Sequence, residues 1–243
     1  MITIEHVDTA IIVALAIEAA PLCARVEEPV RLRASGRRVT VGRLGDGSVA
    51  IIEAGVGRQA AETAARLVID GHRPRRVIAA GLCGGLAPSL ARGSIVIAAR
   101  VGTPQRGETR PVEPLHIDAD AAVGPLVTAD AVVASAVAKR SLHEATGAIA
   151  VDMESWWVAA VADGAGLPCH VIRAVSDTAT DGIAADVASL AAIAHPARQA
   201  GAAVRLAWRR PAAIAELAEL REHAHRASEA LAESLRAALL RVR

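Results

Sequence analysis

Two short segments near the middle of the chain, residues 148–155 (AIAVDMES) and 171–177 (VIRAVSD), decide the fold. Each is an apolar, partly β-branched run that ends in acidic residues, and one helix-length of sequence lies between them. Parallel strands bind ligands at their carboxyl ends, so this order predicts that both sets of carboxylates lie at one ligand-binding edge of a sheet. Acids placed there could hold a polar ligand and perform acid–base chemistry on it. The alternative is that they only cap the helices that follow.

Apolar periodicity in the rest of the chain predicts strands that alternate with helices. The predicted strands are 10–16, 39–44, 49–54, 76–82, 94–99, 149–152 and 169–175. The predicted helices are 18–26, 58–70, 134–145, 153–164, 196–208 and 212–240. This alternation favours an α/β fold whose sheet has substantial parallel character. Residues 102–118, which are rich in proline and charge, are predicted to form a long loop, and residues 178–186 a mobile lid.

Composition excludes several classes of protein. The chain has 243 residues, with 27 Lys and Arg against 26 Asp and Glu. Its formal net charge of +1 is too small to attract it to nucleic acid. No apolar run reaches the roughly 18 residues of a membrane span, and the N-terminus has no signal-peptide pattern, so we expect a soluble, cytoplasmic protein. The three widely spaced cysteines predict small buried residues in a reducing compartment. No cluster has zinc-ligand spacing, so no metal is expected.

Several segments resemble the purine nucleoside phosphorylase and nucleosidase superfamily. They are 13–22 (VALAIEAAPL), 53–57 (EAGVG), 80–88 (AGLCGGLAP) with 92–97 (RGSIVI), and the two segments that end in acids. The resemblance implies a single-domain, three-layer nucleoside phosphorylase-like α/β fold with a mixed central sheet flanked by helices, over residues 1–208. The tail 209–243 implies a C-terminal helical extension packed on that domain or on a sister subunit. Together with 145–155, this tail looks most like the hopanoid-associated phosphorylase branch.

The resemblance also implies a reaction, the cleavage of the N-ribosyl bond of a purine nucleoside. Asp177 and Glu18 would be catalytic: Asp177 protonates the leaving base, and Glu18 positions the attacking water. Glu154 would bind the ribose hydroxyls, with Met153 against the sugar and Ser176 orienting the acid. The glycine loop would line the ribose and nucleophile side of the site with Gly81, Leu82, Cys83 and Gly84. Val132 and Val133 would face the base, where nucleosidases carry a Phe-Ile pair.

The nucleophile could be water or phosphate, and no other cofactor is expected. Glu18 lies where phosphorylases have an arginine, and Ala79 lies near where many of them carry another. These departures favour hydrolysis, although the branch is named for phosphorolysis. Arg37, Arg38 and Arg58 are the candidates for holding phosphate, and the alternative is that each is a solvated surface residue. Two other functions stay open: a phosphate-dependent phosphorylase, and a non-catalytic nucleoside-binding or assembly protein on the same fold.

The expected partners follow from the resemblance and from the C-terminal pattern. The hopanoid branch implies an adenosine joined on its 5′ side to a lipid, such as adenosylhopane, and the small side chains of Val132 and Val133 would open an apolar channel for it. The last predicted helix has one apolar stripe and a charge-mixed opposite face. Packing on its own domain or on a sister subunit is the favoured role, with peripheral membrane contact as the alternative. A homodimer or a higher homo-oligomer is expected.

Overall fold

A mixed β-sheet forms the centre of the protein, in a computed structural model that describes residues 6–104, 107–117, 120–182 and 212–240. The strands are β1 (Thr9–Val13), β2 (Glu27–Ala34), β3 (Arg37–Leu44), β4 (Gly47–Glu53), β5 (Arg76–Gly85), β6 (Ile95–Thr103), β7 (Glu108–Pro111), β8 (Ala122–Thr128), β9 (Ala150–Asp152) and β10 (Cys169–Asp177). The helices are α1 (Ala16–Ala24), α2 (Arg58–His72), α3 (Ala136–Thr146), α4 (Ser155–Gly164) and α5 (Ala212–Leu239).

The strand pairings combine an open sheet with a closed ring. In the open part, β1 lies between β5 and β4 in parallel pairings, and β3 and β2 continue antiparallel to the edge. In the other part, β5 pairs with β10, β10 with β6, β6 with β8, β8 with β9, and β9 with β5 again. This ring gives β5 and β10 neighbours on both sides, which explains why both strands are almost continuously apolar and buried.

Helices cover both faces of the sheet, which confirms the predicted three-layer α/β fold. Helices α2 and α4 pack on one face, in a core that includes Trp156 and Trp157. Helices α1 and α5 pack on the other face, where Leu22 of α1 meets Leu231 and Leu235 of α5. None of the described helices is long and apolar enough to cross a membrane.

Helix α5 packs against α1, β5, β6 and β10 of its own chain. Its apolar stripe is buried there, and Arg25 at the end of α1 forms ion pairs with Glu229 at 2.9 Å and Glu233 at 3.4 Å. The predicted boundary at residue 208 and the predicted helix 196–208 lie outside the described residues, as do residues 183–186 of the predicted lid 178–186.

The predicted long loop 102–118 is wrong in part. β6 continues to Thr103, and β7 then pairs antiparallel with it from Glu108 to Pro111. Two further strands, β2 and β8, lie outside the predicted strands. β8 contains Gly124 and Pro125, which interrupt a strand pattern, and β2 forms an exposed edge strand rich in charge. Edge strands commonly carry charged side chains, which prevent association with other sheets, so they lack the apolar pattern by which buried strands are recognised.

Candidate active site

The carboxyl ends of three parallel strands, β1, β5 and β10, meet at one edge of the sheet. β10 runs beside β5 with Arg173 opposite Gly81 and Asp177 opposite Gly84. β1 runs along the other side of β5, and the chain then turns into α1, which carries Glu18. Glu18 and Asp177 therefore reach the same glycine-rich end of β5 from parts of the chain that are distant in sequence.

Glu18 is buried at the start of α1 and reaches back over the turn before it. Its Oε2 accepts the N–H groups of Ala14 at 2.8 Å and Leu15 at 2.7 Å, and its Oε1 accepts the N–H of Leu82 at 2.8 Å. Burial raises the pKa of this carboxyl, whereas Arg173 and the three N–H donors oppose the rise. The result is a fixed carboxyl group whose basicity is increased, as a group that takes a proton from a bound water requires.

Arg173 is the buried cation of the site. Only 1% of it is exposed, its Nη2 lies 2.6 Å from Asp152 Oδ2, and it also donates to Ser155 Oγ at 2.8 Å. Asp152 is anchored by the hydroxyl of Thr128 at 2.7 Å. Burial by itself would lower the pKa of Arg173, but the carboxylates of Asp152, Glu154 and Glu18 outweigh it, and the pKa lies above its usual value. The guanidinium therefore stays charged.

Two glycines of β5, Gly81 and Gly84, have no side chains, and this lets the groups of the site approach one another. A Cβ on Gly81 would collide with the Arg173 guanidinium and lie 2.9 Å from Glu18 Oε1. A Cβ on Gly84 would lie 3.2 Å from Asp177 Oδ2. Arg173 and Glu18 thus lie beside Gly81, and the predicted acid Asp177 lies beside Gly84, three residues further along the strand.

Glu154 lies where β9 passes into α4, next to the half-buried Met153. Its Oε1 accepts the N–H of Gly57, in the turn after β4, at 2.8 Å. Burial and the negative charge of Asp152 raise the pKa of Glu154 to about 7, against the opposing effects of Arg173 and the Gly57 N–H. Near neutral pH this carboxyl changes between a form that accepts hydroxyl hydrogen bonds and a form that also donates one.

Asp177 ends β10 and is held from both sides. The Ser176 hydroxyl lies 2.6 Å from its Oδ1 and 3.2 Å from the carbonyl oxygen of Cys83. Its Oδ2 forms an ion pair with the Nζ of Lys139, which comes from α3. Ser176 and Lys139 thus each donate to one oxygen of Asp177, and of these two partners the resemblance implies only Ser176.

The segment predicted to face the base follows β8. Val132 is exposed, and Val133 packs against an apolar cluster that includes Val151. The Val151 side chain lies 3.3 Å from the position of a Cβ on Gly84. The segment therefore lies on the side of the site where Asp177 is found.

The three arginines predicted for phosphate are engaged elsewhere. Arg38 forms an ion pair with Glu53 at 2.6 Å, and Arg58 forms one with Glu62 at 2.9 Å. Arg37 donates to a backbone carbonyl just after β4 at 3.1 Å. None of these contacts involves the acids at the carboxyl ends of β5 and β10.

Cysteine and metal chemistry add nothing to this site. Burial raises the pKa of the Cys83 thiol, so the thiol is protonated and a poor nucleophile. Within the described part of the chain, no group of three His, Cys, Asp or Glu side chains could hold a metal ion.

Two residues of the site were missed from sequence, Arg173 and Lys139. A signal existed for each. Arg173 interrupts the apolar run VIRAVSD, and a buried strand keeps such a charge only if it is paired. Lys139 is the only lysine in the chain, beside 26 arginines. Neither signal names a partner, because the partners lie on other strands and helices.

Comparisons with known proteins agree with this architecture. The family model described as the phosphorylase superfamily matches residues 8–120 and 112–240. Similar solved structures include an S-adenosylhomocysteine nucleosidase from Streptococcus pyogenes, with 20% identity, 98% of each chain covered and a TM-score of 0.75. A 5′-methylthioadenosine nucleosidase from Helicobacter pylori has 15% identity, 97% and 99% coverage of this chain and of its own, and a TM-score of 0.75. The futalosine hydrolase of Helicobacter pylori has 15% identity, 96% and 97% coverage, and a TM-score of 0.73.

Proposed function

The chain belongs to the phosphorylase superfamily, and on that premise we propose that it cleaves the N-ribosyl bond of an adenosine-type nucleoside with water as the nucleophile. The observation that supports this most is the order of groups along β5, with Glu18 and Arg173 at Gly81 and Asp177 at Gly84. Hydrolysis with inversion needs an acid on the side of the leaving group and a base on the side of the attacking water, with room for that water beside the sugar.

The proposed reaction assigns one task to each group. Glu18 takes a proton from water as the water oxygen bonds to the anomeric carbon. The bond from that carbon to the base breaks, its electron pair moves into the purine, and Asp177 delivers a proton to the base nitrogen. Glu154 holds the ribose hydroxyls, because a carboxylate that accepts two hydroxyl hydrogen bonds is a strong anchor. The products are the free base and the free sugar.

Charge supports water over phosphate. The buried carboxyls of Glu18, Asp152 and Glu154 surround one buried guanidinium, and Arg173 is already paired with Asp152. A phosphate dianion placed beside them would meet like charge in a medium of low dielectric constant. Among the described residues, the two buried cations of the site, Arg173 and Lys139, are already paired with carboxylates. A neutral water carries no such penalty.

The test is product analysis on the purified protein with adenosine and 5′-methylthioadenosine. We expect adenine and a free sugar, at the same rate with and without phosphate. Strict phosphate dependence with a ribose 1-phosphate product would make the protein a phosphorylase. Nucleoside binding without release of the base would make it a non-catalytic binder.

A variant of the acid tests its assignment in the same assay. Asp177→Asn cannot donate the proton, so base release should fall by about 10²–10⁴-fold, the usual contribution of general acid catalysis. The matched control is Asp70→Asn, the same substitution at an exposed position on α2, which should keep the wild-type rate. A near-native rate for Asp177→Asn would contradict the assignment.

We also propose that the 5′ side of the substrate carries an apolar group, such as the lipid of adenosylhopane. The support is the sequence resemblance of the tail to the hopanoid-associated branch, together with the exposed apolar side chains of Val132 and Val137 after β8. A series of adenosines with 5′-thioalkyl groups of increasing length tests this. We expect kcat/KM to rise with chain length, and a fall would exclude a lipid-linked substrate.

A further inference from the structure

Lys139 is fully buried on α3, one turn after the Ser135 cap, whose hydroxyl accepts the Ala138 N–H at 3.1 Å. Its ammonium group has three N–H donors, and all three have acceptors. They are Asp177 Oδ2, the carbonyl oxygen of Thr178 at 2.7 Å and that of Asp181 at 3.3 Å. Lysine is almost never fully buried without such partners. The ammonium therefore has a specific place beside the acid of the site.

The contacts of Asp177 create a problem for its proposed role. Ser176 donates to one of its oxygens and Lys139 to the other, so both oxygens accept hydrogen bonds. In this arrangement both carboxyl oxygens act as acceptors, and neither is placed as a donor. A general acid must carry a proton when the bond to the base breaks, so a proton has to reach Asp177 from a neighbouring group.

The neighbours of the pair leave Lys139 as the source of that proton. The Asp181 carboxylate is paired with Arg92 at 2.9 Å and accepts the Thr178 N–H at 2.6 Å. Arg173 is paired with Asp152, and a guanidinium does not release its proton in proteins. The neutral thiol of Cys83 is a weak acid, and so is the Ser176 hydroxyl.

The amino-acid composition points the same way. The chain carries its positive charge on 26 arginines and one lysine, and that lysine is the one that contacts Asp177. An ion pair alone is served at least as well by arginine, which holds a carboxylate with two hydrogen bonds. Lysine differs from arginine in that it can lose its proton when buried.

We propose that Lys139 supplies, through Asp177, the proton that the leaving base receives. This rests on the proposed cleavage of the N-ribosyl bond. As the bond to the anomeric carbon breaks and its electron pair moves into the purine, Asp177 protonates the base nitrogen and receives a proton from the Lys139 ammonium. Lys139 becomes a neutral amine and Asp177 remains a carboxylate. After the base leaves, solvent returns a proton to Lys139 through Asp177, whose side chain is 14% exposed, and Glu18 releases to solvent the proton that it took from the attacking water. Lys139 is thus a positioning residue that acts through the acid.

The test compares variants on two substrates, adenosine and its 7-methyl derivative, whose charged base leaves without being protonated. Lys139→Met should lose about 10²–10⁴-fold in kcat on adenosine and no more than a few-fold on the 7-methyl compound. Lys139→Arg keeps the charge but cannot release a proton, so it should show the same selective loss. Arg140→Met, at the exposed neighbouring position, is the control and should match the wild type on both substrates.

The comparison of Lys139→Arg with Lys139→Met separates proton transfer from charge and position, and it does not depend on acceptance of the 7-methyl compound. Equal losses on both substrates, or full rescue by Lys139→Arg, would each overturn the proposal. A wild-type protein that releases no base from either substrate would instead refute the proposed function.

Discussion

At the scale of single residues, the site depends on charged groups that are buried together. Burial of the Arg173 charge would cost free energy without the Asp152 carboxylate beside it. Burial of Asp152 would likewise cost free energy without the groups that donate hydrogen bonds to it. Glu154 is different, because its carboxyl group accepts the backbone N–H of Gly57 while the like charge of Asp152 lies nearby. Its protonation should therefore respond to pH in the physiological range, and a substrate that bonds to it should bind in a pH-dependent manner.

The first prediction concerns this response. The pKa of Glu154 is raised to about 7, so the carboxylate that accepts two ribose hydroxyls is scarce at pH 6 and abundant at pH 8. The preference for a riboside over its 2′-deoxyriboside, measured as a ratio of kcat/KM values, should rise over that interval. The ratio cancels the titration of groups that affect both substrates alike.

Glu154→Gln is the control for that measurement, because the amide does not ionise. Its ratio should be lower than that of the wild type and should not change with pH. If the wild-type ratio is constant from pH 6 to pH 8, Glu154 does not bind the hydroxyls as a titrating carboxylate.

At the scale of elements, β5 holds the site together because it pairs with β1, β9 and β10. Its glycines let side chains from α1 and β10 lie directly on its backbone. An α/β fold commonly binds its ligands where strands end. Near the end of β5, the glycines leave space for the functional side chains of neighbouring elements. We therefore expect that a methyl group added to a glycine of β5 lowers activity and stability, whereas one added to a glycine of a helix does not.

Gly81→Ala tests this directly. The added Cβ would collide with Arg173 and crowd Glu18, so base release should fall by at least tenfold, and the free energy of unfolding should decrease by about 1–3 kcal/mol, as is typical of overpacking. Gly71→Ala, near the end of α2 with open space around it, is the control and should be neutral or stabilising, since alanine favours helices. Urea unfolding and the activity assay measure both effects. Equal behaviour of the two variants would mean that Arg173 and Glu18 can move aside freely.

At the scale of the whole molecule, α5 completes the layer that supports Glu18. The helix lies against α1, which carries that glutamate, and Leu235 is fully buried between them and the sheet. The last described helix of the chain is therefore part of the domain core on this face.

Leu235→Ala should accordingly destabilise the protein by about 2–5 kcal/mol, the usual cost of a large cavity. Leu240→Ala, at a position 43% exposed just after α5, is the control and should cost less than about 1 kcal/mol. Chemical denaturation of both variants is the measurement. A small effect of Leu235→Ala would show that α5 contributes little to the stability of this layer.

The expected homo-oligomer stays a prediction, and light scattering of the purified protein at micromolar concentration checks it. A dimer or a multiple of it is expected, because two-fold closure is the commonest solution for soluble proteins. A monomer mass with full activity would show that the site is complete within one chain.

The sequence alone determined much of the alternation of strands and helices and the acids at two strand ends, since apolar periodicity and a polar residue that terminates it are local features. Asp177 and Glu154 could be named in this way, and so could the hairpin of β3 and β4, whereas Glu18 was named through the family resemblance. β2 and β7 could not be predicted, because their pairing partners, and not their own charged sequences, make them strands. β8 could not either, because Gly124 and Pro125 interrupt its strand pattern.

Only the tertiary structure decided which charges meet. A lysine in the middle of a helical segment reads as a solvated side chain, and its contact with Asp177 joins residues 38 positions apart. The sequence around Arg173 likewise does not indicate that this arginine pairs with Asp152 on another strand. In the structure both side chains of the pair are only 1% exposed. Burial removes the solvent that would otherwise screen these groups. Their ionisation, and with it the chemistry of the site, is therefore a property of the folded chain.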